Sequence, residues 1–346
     1  MASALIEAMA RIKVFLSYTD DELKGYYSQA GLDELKRHAA PVFNTTGRIL
    51  HGEELAFAAA GCQIILAHRS AAGDAATFDA SPQLLAFLRA AVDISTVDVQ
   101  SASQHGILVT RASAGFGTAV AELGLAMMLD LARGISRARH AYEQALIPVL
   151  EKGLQLRNSS VGILGYGAIG KELASMSRAL GMEVRVFDPH VDEASLMGMK
   201  GSLESVVSQS DFVVCLAASV PQTHNMINDA FFASMKEGAS FLNLSRGELV
   251  DEDALERALD SGRLRGAGLD VGRAPDQKPS HRYMSRPDVV LMPHVGGMTH
   301  QAREHQTMDT VRQVAALAAG RWPEGAVNAA QAHRAAQFIA AMGQAS

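Results

Sequence analysis

The chain has few of the residues that mark several classes of protein. Its 346 residues include only two cysteines, and both Cys62 and Cys215 lie in apolar runs, where a thiol serves as a small core side chain. Two cysteines build neither a disulfide framework nor a zinc site, so we expect reduced thiols and no bound metal. Basic residues are not in excess either, because 31 Lys and Arg face 37 Asp and Glu. This balance argues against nucleic acid as a partner.

Long apolar runs are absent as well. No run approaches the ~20 residues that a membrane-spanning helix needs, so we expect no membrane partner. The first residues, Met1 to Glu7, carry an acid where a secretory signal would carry basic residues. We therefore expect a cytoplasmic protein.

What the sequence does contain is a rhythm of short apolar runs and helical patterns. Hydrophobic residues make up 48% and charged residues 20%, and the length fits about two domains. Strands alternating with helices predict an α/β fold with doubly wound parallel sheets. The early pattern predicts strands at Ile12 to Leu16, Gln63 to Ala67 and Ile107 to Val109, helices over Gly31 to His38 and Ser81 to Ala90, and one long helix from Thr118 to His140, capped by Thr118.

A second series of alternating elements follows the polar stretch Gln155 to Ser159. The predicted strands are Val161 to Leu164, Glu183 to Phe187, Phe212 to Leu216, Ser240 to Leu244 and Val289 to Met292. The predicted helices cover Ala168 to Leu180, Ser202 to Gln209, Glu252 to Ser261 and His300 to Gly320.

A glycine motif lies between the first strand and the first helix of this second series. In Gly165-Tyr166-Gly167-Ala168-Ile169-Gly170, the first glycine permits a tight turn and the second lets backbone approach a pyrophosphate. The third lets the helix pack close to the strand, and the amides at the helix N-terminus face the phosphates. Such a motif alone is weak support for a dinucleotide site.

Asp188 strengthens this interpretation because it ends the next strand, about 20 residues further on. A carboxylate there accepts hydrogen bonds from the ribose hydroxyls and repels a 2′-phosphate. NAD is thus favoured over NADP, although Arg185 and His190 are close in sequence.

The chain resembles the D-2-hydroxyacid dehydrogenase family, which includes phosphoglycerate, glycerate and formate dehydrogenases. The resemblance covers nearly the whole chain because several motifs occur in the family's order. They are Arg69-Ser70, Val120-Ala-Glu122, the glycine motif, Asp188-Pro189, Asn243 to Asp251, Gly266 to Val271, Pro293 to Gly297 and Val327-Asn328.

This resemblance implies two Rossmann-like or flavodoxin-like domains with a cleft between them. Residues 109–298 would bind NAD, and residues 1–108 with 299–346 would form the substrate-binding domain. It also implies a homodimer in which the helix from Thr118 to His140 forms part of the interface.

The resemblance also assigns roles to single residues. Arg246 would hold a substrate carboxylate and polarise the reacting carbonyl, and His294 would act as general acid and base. Asp270 would lie near the nicotinamide. The residues implied for the cofactor are Gly165, Tyr166, Gly167, Ala168, Ile169, Gly170, Asp188, Ala217, Pro221, Thr223, Leu244, Ser245, Arg246, Asp270, His294 and Gly296, and those for the substrate are Arg69, Ser70, Val92, Asp93, Arg246 and His294.

One departure from the family concerns the partner of His294. Relatives place a glutamate five residues after the position of Asp270, whereas this chain has Pro275. Asp276 would substitute if the loop shifts, and Gln277 offers a neutral amide. Without a carboxylate beside it, the imidazole is expected to have a lower pKa than in relatives.

A second departure concerns the substrate side. Relatives carry a glycine where Val92 and Asp93 stand, in a loop whose amides bind the substrate carboxylate. An acid at that place is unfavourable unless it points away or pairs with Arg69 or Arg111. Asp93 is therefore either a solvent-facing loop residue or a change of specificity.

Three functions remain open. The first is an NAD-dependent oxidoreductase that transfers hydride between nicotinamide and a small 2-hydroxy or 2-oxo acid. The second is an NAD(H)-responsive binding protein, similar to the corepressors of this superfamily, in which the missing acid has weakened catalysis. The third is a dehydrogenase of a substrate without an α-carboxylate, for which Asp93 is the reason.

Overall fold

The computed structural model describes residues 11–149, 152–196 and 199–344. The segment Met1 to Glu7, on which the expectation about targeting signals rests, lies outside the described residues. Alpha-carbon contacts divide the chain into two compact units, one with the residues up to Gly115 and from His300 onward, the other from Phe116 to Thr299. Both units are α/β, as the alternating pattern predicts.

The first unit is built on five parallel strands in the order β2-β1-β3-β4-β5. Its strands are β1 (Lys13–Leu16), β2 (Ala40–Phe43), β3 (Ile64–Ala67), β4 (Ala86–Arg89) and β5 (Leu108–Arg111). The helices between them are α1 (Asp20–Tyr26), α2 (Gln29–His38), α3 (Gly52–Ala58), α4 (Ala75–Asp79) and α5 (Val99–Gln104). Apolar clusters cover both faces of the sheet, as expected for parallel strands.

The second unit is built on six parallel strands in the order β11-β10-β9-β8-β6-β7. Its strands are β6 (Ser160–Leu164), β7 (Glu183–Phe187), β8 (Phe212–Cys215), β9 (Ala239–Asn243), β10 (Leu264–Leu269) and β11 (Val289–Leu291). Its α-helices are α6 (Gly117–Arg133), α7 (Ile135–Glu143), α8 (Ala168–Ala179), α9 (Leu203–Ser208), α10 (Asp229–Ser234) and α11 (Glu252–Asp260). The predicted strands of this unit are confirmed to within about one residue at either end.

Two helices after Thr299 complete the first unit, α12 (His300–Ala318) and α13 (His333–Gln344). The segment between them bonds to β5, since the Asn328 side chain accepts from Val109 N at 2.8 Å and donates to Ile107 O at 2.9 Å. The predicted boundary between residues 108 and 109 is wrong because it cuts β5, which pairs with β4 over its whole length.

Two further predictions are wrong. Ser81 to Ala90 is not a helix, because its second half is the fully buried strand β4, and a short apolar run has no period that separates the two structures. The long helix is broken at Gly134, whose φ of 63° is left-handed. It begins at Gly117, where Phe116 is the N-cap residue and Thr118 provides no side-chain cap.

Both cysteines are unpaired and buried, as predicted. Burial raises the pKa of the Cys215 thiol to about 12. Among the described residues, no helix has the length and apolar content to cross a membrane, and no cluster of His, Cys, Asp and Glu has the makings of a metal site.

Candidate active site

The residues predicted for the cofactor all follow the carboxyl ends of strands in the second sheet. The strand order reverses at β6, between β7 and β8, and open α/β sheets bind ligands at the carboxyl edge beside such a reversal. The glycine loop follows β6 and Asp188 follows β7. Ala217 comes after β8, Arg246 after β9 and Asp270 directly after β10.

The three glycines of the loop have three different environments. Gly165 has a φ of 101°, and a Cβ there would lie 2.7 Å from Leu216 O. A Cβ at Gly170 would lie 2.3 Å from Gly165 O, so only glycine lets α8 approach its own strand. A Cβ at Gly167 would meet nothing within 4 Å, and this residue is the N-cap of α8, where no side chain bonds to the first amides of the helix. The open side at Gly167 therefore fits a phosphate group that approaches the backbone.

Backbone amides of the glycine loop and of the turn after β7 hold the Asp188 carboxylate. Its Oδ2 accepts a hydrogen bond from Tyr166 N at 2.7 Å, and its Oδ1 accepts from His190 N at 2.9 Å. Each carboxylate oxygen retains capacity to accept a ribose hydroxyl. The neighbouring Arg185 is bonded to Glu183 at 2.6 Å. These residues fit the adenosine half of NAD, and no 2′-phosphate is needed to balance Arg185.

A buried asparagine shapes the turn that carries Arg246. The Asn243 side chain, 1% exposed, donates to Arg246 O at 2.8 Å and accepts from Ser245 N at 3.1 Å. The Ser245 hydroxyl bonds to Ala217 O, which ties this turn to the end of β8. The Arg246 guanidinium is half-buried and donates to Ser245 O at 2.8 Å. The Asn243 contacts were not predicted, although Asn243 belongs to the motif that includes Arg246.

Glycine also allows this turn to pack against the end of β10. A Cβ at Gly247 would lie 2.1 Å from the carbonyl carbon of Gly272. Two loops that carry candidate site residues are therefore in backbone contact.

The loop of His294 is held by Asp270. This buried carboxylate accepts from Val295 N at 2.8 Å and from Gly296 N at 3.0 Å. His294 itself adopts a left-handed φ of 58°, and its N–H donates to Met292 O. Non-glycine residues in this region are uncommon and are held there by their surroundings. The structure thus gives Asp270 a positioning contact that sequence reasoning did not foresee.

The segment that follows Asp270 carries the two residues that were considered as partners of His294, Asp276 and Gln277. Asp276 is exposed and bonds Lys278, and this contact lowers the pKa of its carboxyl. Gln277 has a left-handed φ of 58°, in a turn where its N–H donates to Ala274 O. Arg273 bonds Val250 O, which anchors the start of the segment. The predicted effect of Pro275 on His294 stays a prediction.

Four other candidate residues lie in the first unit, after β3 and β4. The Ser70 hydroxyl donates to Glu22 at 2.8 Å and lies 2.7 Å from His68 Nδ1, which is 2.9 Å from the same carboxylate. Burial lowers the pKa of His68 to about 4, so the imidazole is neutral near pH 7. Burial would raise the pKa of Glu22, but hydrogen bonds from Thr19 and Ser70 outweigh it, and the net shift is downward.

Arg89 holds the loops after β3 and β4, a role that the sequence did not predict. Its side chain, in a residue only 3% exposed, donates to the carbonyl oxygens of His68, Arg69 and Ala71 at 2.7 to 2.9 Å. It also bonds Thr96 Oγ1 at 2.6 Å and, at 3.4 Å, Asp93 O. A single arginine at the end of the apolar run Ala86 to Ala90 was the available signal, because a buried charge needs partners.

Asp93 lies in the loop that Arg89 ties down. Its Oδ1 accepts from Ser95 N at 2.8 Å, which is the hydrogen bond of an Asx turn. Burial lowers the pKa of Arg89, and the nearby charge of Asp93 opposes that shift. Arg89, which was not among the two partners considered, is thus a cation near Asp93. Val92 is half-buried beside it.

Comparisons with known proteins agree with this geometry. Residues 125–296 match the family model described as the D-isomer specific 2-hydroxyacid dehydrogenase NAD binding domain. A hydroxypyruvate reductase from Thermotoga maritima is 31% identical over 239 residues, which are 68% of this chain and 78% of that protein. The chain belongs to the D-isomer specific 2-hydroxyacid dehydrogenase family. Every residue predicted for NAD lies within the matched domain, whose cofactor is NAD.

Other members of the family are longer. D-3-phosphoglycerate dehydrogenase 3 of Arabidopsis thaliana is 32% identical over 306 residues, which cover 87% of this chain and 52% of that protein. The chain spans 39% to 58% of the length of four phosphoglycerate dehydrogenases that it matches. Among solved structures, the TT0316 protein of Thermus thermophilus superposes with a TM-score of 0.77 and 28% identity, covering 91% of this chain and all of that one.

Proposed function

We propose that this protein is an NAD-dependent oxidoreductase that transfers hydride between nicotinamide and a small 2-hydroxy or 2-oxo acid. One observation carries the proposal: the turn of Arg246 and the loop of His294 are each fixed by a buried polar side chain, Asn243 and Asp270. Arg246 and His294 each follow a strand, at the carboxyl edge of the sheet that also carries the glycine loop. A cation and an imidazole held beside a dinucleotide site suit the reduction of a carbonyl that carries a carboxylate.

The chemistry follows from the two side chains. When bound, NAD supplies the hydride donor or acceptor. The planar guanidinium of Arg246 binds a carboxylate through two parallel hydrogen bonds and stabilises negative charge on the reacting oxygen. His294 gives a proton to that oxygen during reduction and takes it back during oxidation. Arg69 and Ser70 are proposed as further contacts for the substrate.

The test is the oxidation of NADH by the purified protein with a panel of 2-oxo acids across pH, with NADPH in parallel. Replacing Arg246 by alanine is expected to lower kcat/KM by about 10²-fold or more, as for the loss of other charge-stabilising groups. His294→Asn is expected to lower kcat and to alter its pH profile. Arg257→Ala, at an exposed arginine of α11 paired with Asp229, serves as control. Proven NADH binding without turnover of any 2-oxo acid would instead support the NAD(H)-responsive binding protein.

We also propose that two copies of the chain associate through α6, α7 and the segment after them. Large apolar side chains are exposed there: Ile135 by 58%, Leu146 by 62%, Ile147 by 91% and Val149 by 82%. Exposed apolar side chains of this size mark a surface that another protein covers, and the same surface on a second copy of the chain would cover it. Light scattering on the purified protein tests this, and Ile147→Glu is expected to yield monomers. A monomeric wild-type protein would contradict it.

The cytoplasm is the compartment that we propose for this activity. Its support is the pair of unpaired, buried thiols, Cys62 and Cys215, which suit a reducing environment. Fractionation of cells that express the tagged chain tests this, and recovery in an oxidising compartment would contradict it.

A further inference from the structure

Arg273 connects three loops at the carboxyl edge of the second sheet. It is an exposed residue in the loop that follows β10. Its Nε and Nη2 both donate to Val250 O, at 3.0 and 2.7 Å, and Nη2 also donates to Glu248 O at 3.1 Å. Both acceptors come just after the turn that carries Arg246. The same side chain donates to Asn225 Oδ1, at the end of the loop that follows β8.

The loop after β8 is also bonded to the loop after β9 through the backbone. Asn225 N donates to Glu248 O at 2.9 Å, and Ile227 N donates to Leu249 O at 3.0 Å. Asn225 has a left-handed φ of 53°, a conformation that asparagine adopts more readily than most residues. These bonds hold the side-chain oxygen of Asn225 within reach of Arg273.

The segment that carries Arg273 touches the turn of Arg246 in a second way. The backbone of Gly272 packs against Gly247, where a Cβ would lie 2.1 Å from the Gly272 carbonyl carbon. The segment is closed on itself, because Gly272 N donates to Gln277 O at 2.9 Å. A shift of this segment would therefore displace the turn of Arg246 directly.

The partners of the Arg273 guanidinium are neutral oxygens. Among the described residues, no carboxylate lies within ion-pair distance of Arg273, whereas Arg257 and Arg282 each pair with an aspartate. A planar guanidinium donates several hydrogen bonds in fixed directions, which the single ammonium group of a lysine does not. Such a side chain suits the task of setting the spacing between loops.

The three connected loops lie on one side of the reversal in strand order. The glycine loop and Asp188, which fit the adenosine half of NAD, follow β6 and β7. The loops after β8, β9 and β10 lie on the other side, and dinucleotides bind across such a reversal with one half on each side. The nicotinamide half is therefore expected at the loops that Arg273 connects.

We infer that Arg273 is a positioning residue for the nicotinamide half of the cofactor. It holds the loops of Ala217, Arg246 and Asp270 at a fixed spacing, so that these residues contact that half in the required geometry. The inference rests on the proposed function, because the residues that Arg273 positions are those proposed for the cofactor and the substrate.

Calorimetric titrations with NADH and with ADP test this role, because ADP contains only the half that fits the glycine loop and Asp188. In Arg273→Gln, we expect NADH affinity to fall about fivefold or more and ADP affinity to stay within about twofold of wild type. The melting temperature should change little, since the side chain is exposed. Arg273→Lys should retain part of the NADH affinity, because an ammonium group still donates to one of the oxygens. Arg257→Gln, at an exposed arginine of α11 paired with Asp229, is the matched control and should change neither affinity.

The outcomes separate this role from the proposed function. Equal losses of NADH and ADP affinity in Arg273→Gln would show general support of the fold, and unchanged NADH affinity would show no positioning. Either result overturns the inference and leaves the dehydrogenase activity intact. If no 2-oxo acid is turned over, the proposed function fails, but a loss of NADH affinity without a loss of ADP affinity still supports the role of Arg273.

Discussion

Asp270 and Gly296 are in such close contact that the second position admits no side chain. Asp270 Oδ2 accepts from Gly296 N at 3.0 Å and would lie 2.8 Å from a Cβ on that residue. The other oxygen is occupied by Val295 N, so the carboxylate is not free to turn aside. Val295 and Gly296 directly follow His294, so the backbone conformation of His294 is held by a carboxylate 24 positions earlier in the chain.

Gly296→Ala should therefore damage catalysis and folding together. We expect a loss of about 1 to 3 kcal/mol in the free energy of unfolding, because overpacking against a fixed group forces the loop to move. The rate of NADH oxidation should fall as His294 shifts. Urea denaturation and steady-state kinetics measure the two effects. Gly343→Ala is the control, since a Cβ there meets nothing within 4 Å, and an unaffected Gly296→Ala variant would refute the role given to Asp270.

Two substitutions in the glycine loop should separate an effect on cofactor binding from an effect on stability. Gly167→Ala puts its methyl group into open space, so its unfolding midpoint should stay within a few degrees of wild type, while NADH affinity falls at least tenfold. Gly170→Ala drives a methyl group into Gly165 O and should destabilise the fold itself. Calorimetric titration and thermal melting of both variants give the comparison. Full NADH affinity in Gly167→Ala would mean that the phosphates do not approach there.

Substitution of the buried Arg89 should lower both the stability of the protein and its affinity for substrate. Arg89→Met leaves three or more buried carbonyl oxygens without donors, and we expect a loss of roughly 3 to 5 kcal/mol, as when one side of a buried charged network is removed. Because the Arg69 and Ser70 backbone would move, KM should rise more than kcat falls in Arg89→Lys. Arg48→Met, at an exposed arginine, is the comparison. A stable Arg89→Met protein with a normal KM would show that neither loop depends on the hydrogen bonds of Arg89.

Stability should fall as the pH is lowered through the window set by His68. Its pKa is about 4 in the folded protein and near 6.5 in an unfolded chain, so the unfolded state binds the proton first as the pH falls. The free energy of unfolding should decrease by at most about 3 kcal/mol between pH 6.5 and 4, and the lowered pKa of Glu22 adds to the loss at the acidic end. His68→Phe should flatten this slope and His281→Ala, at an exposed imidazole, should not. Unfolding curves at a series of pH values measure it, and identical slopes for all three proteins would contradict the assignment.

The second unit is predictable from sequence because its signals are local. The strands from Val161 to Met292 are apolar runs bounded by polar or glycine turns, and the glycine motif needs only its own neighbours to form. Arg246 and His294 follow from residues beside them in the chain. By contrast, the hydrogen bonds of Asp270 and Asn243 depend on where loops meet, which residue spacing does not reveal.

The first unit was harder to predict, for two physical reasons. Its strands contain four residues each, and a run such as Ala86 to Arg89 buries all its side chains in a strand as readily as in a helix. Its polar network is also nonlocal, since Glu22 lies in α1, His68 and Ser70 lie in the loop after β3, and Arg89 ends β4. In the second unit, the predicted helix from Thr118 to His140 contains two glycines, and its pattern did not show that Gly134 ends a helix while Gly124 does not.

The bond between Val109 and the Asn328 side chain has a consequence for how the protein is made. The first unit needs residues on both sides of the second, as the contacts of Tyr27 with Thr310 and of Thr110 with Gln313 also show. During synthesis from the N-terminus, the segment from Phe116 to Thr299 emerges complete, while the sheet before it still lacks α12. The nascent chain thus carries a complete second unit before the first unit can fold, and one apolar face of the first sheet stays exposed until α12 has been made.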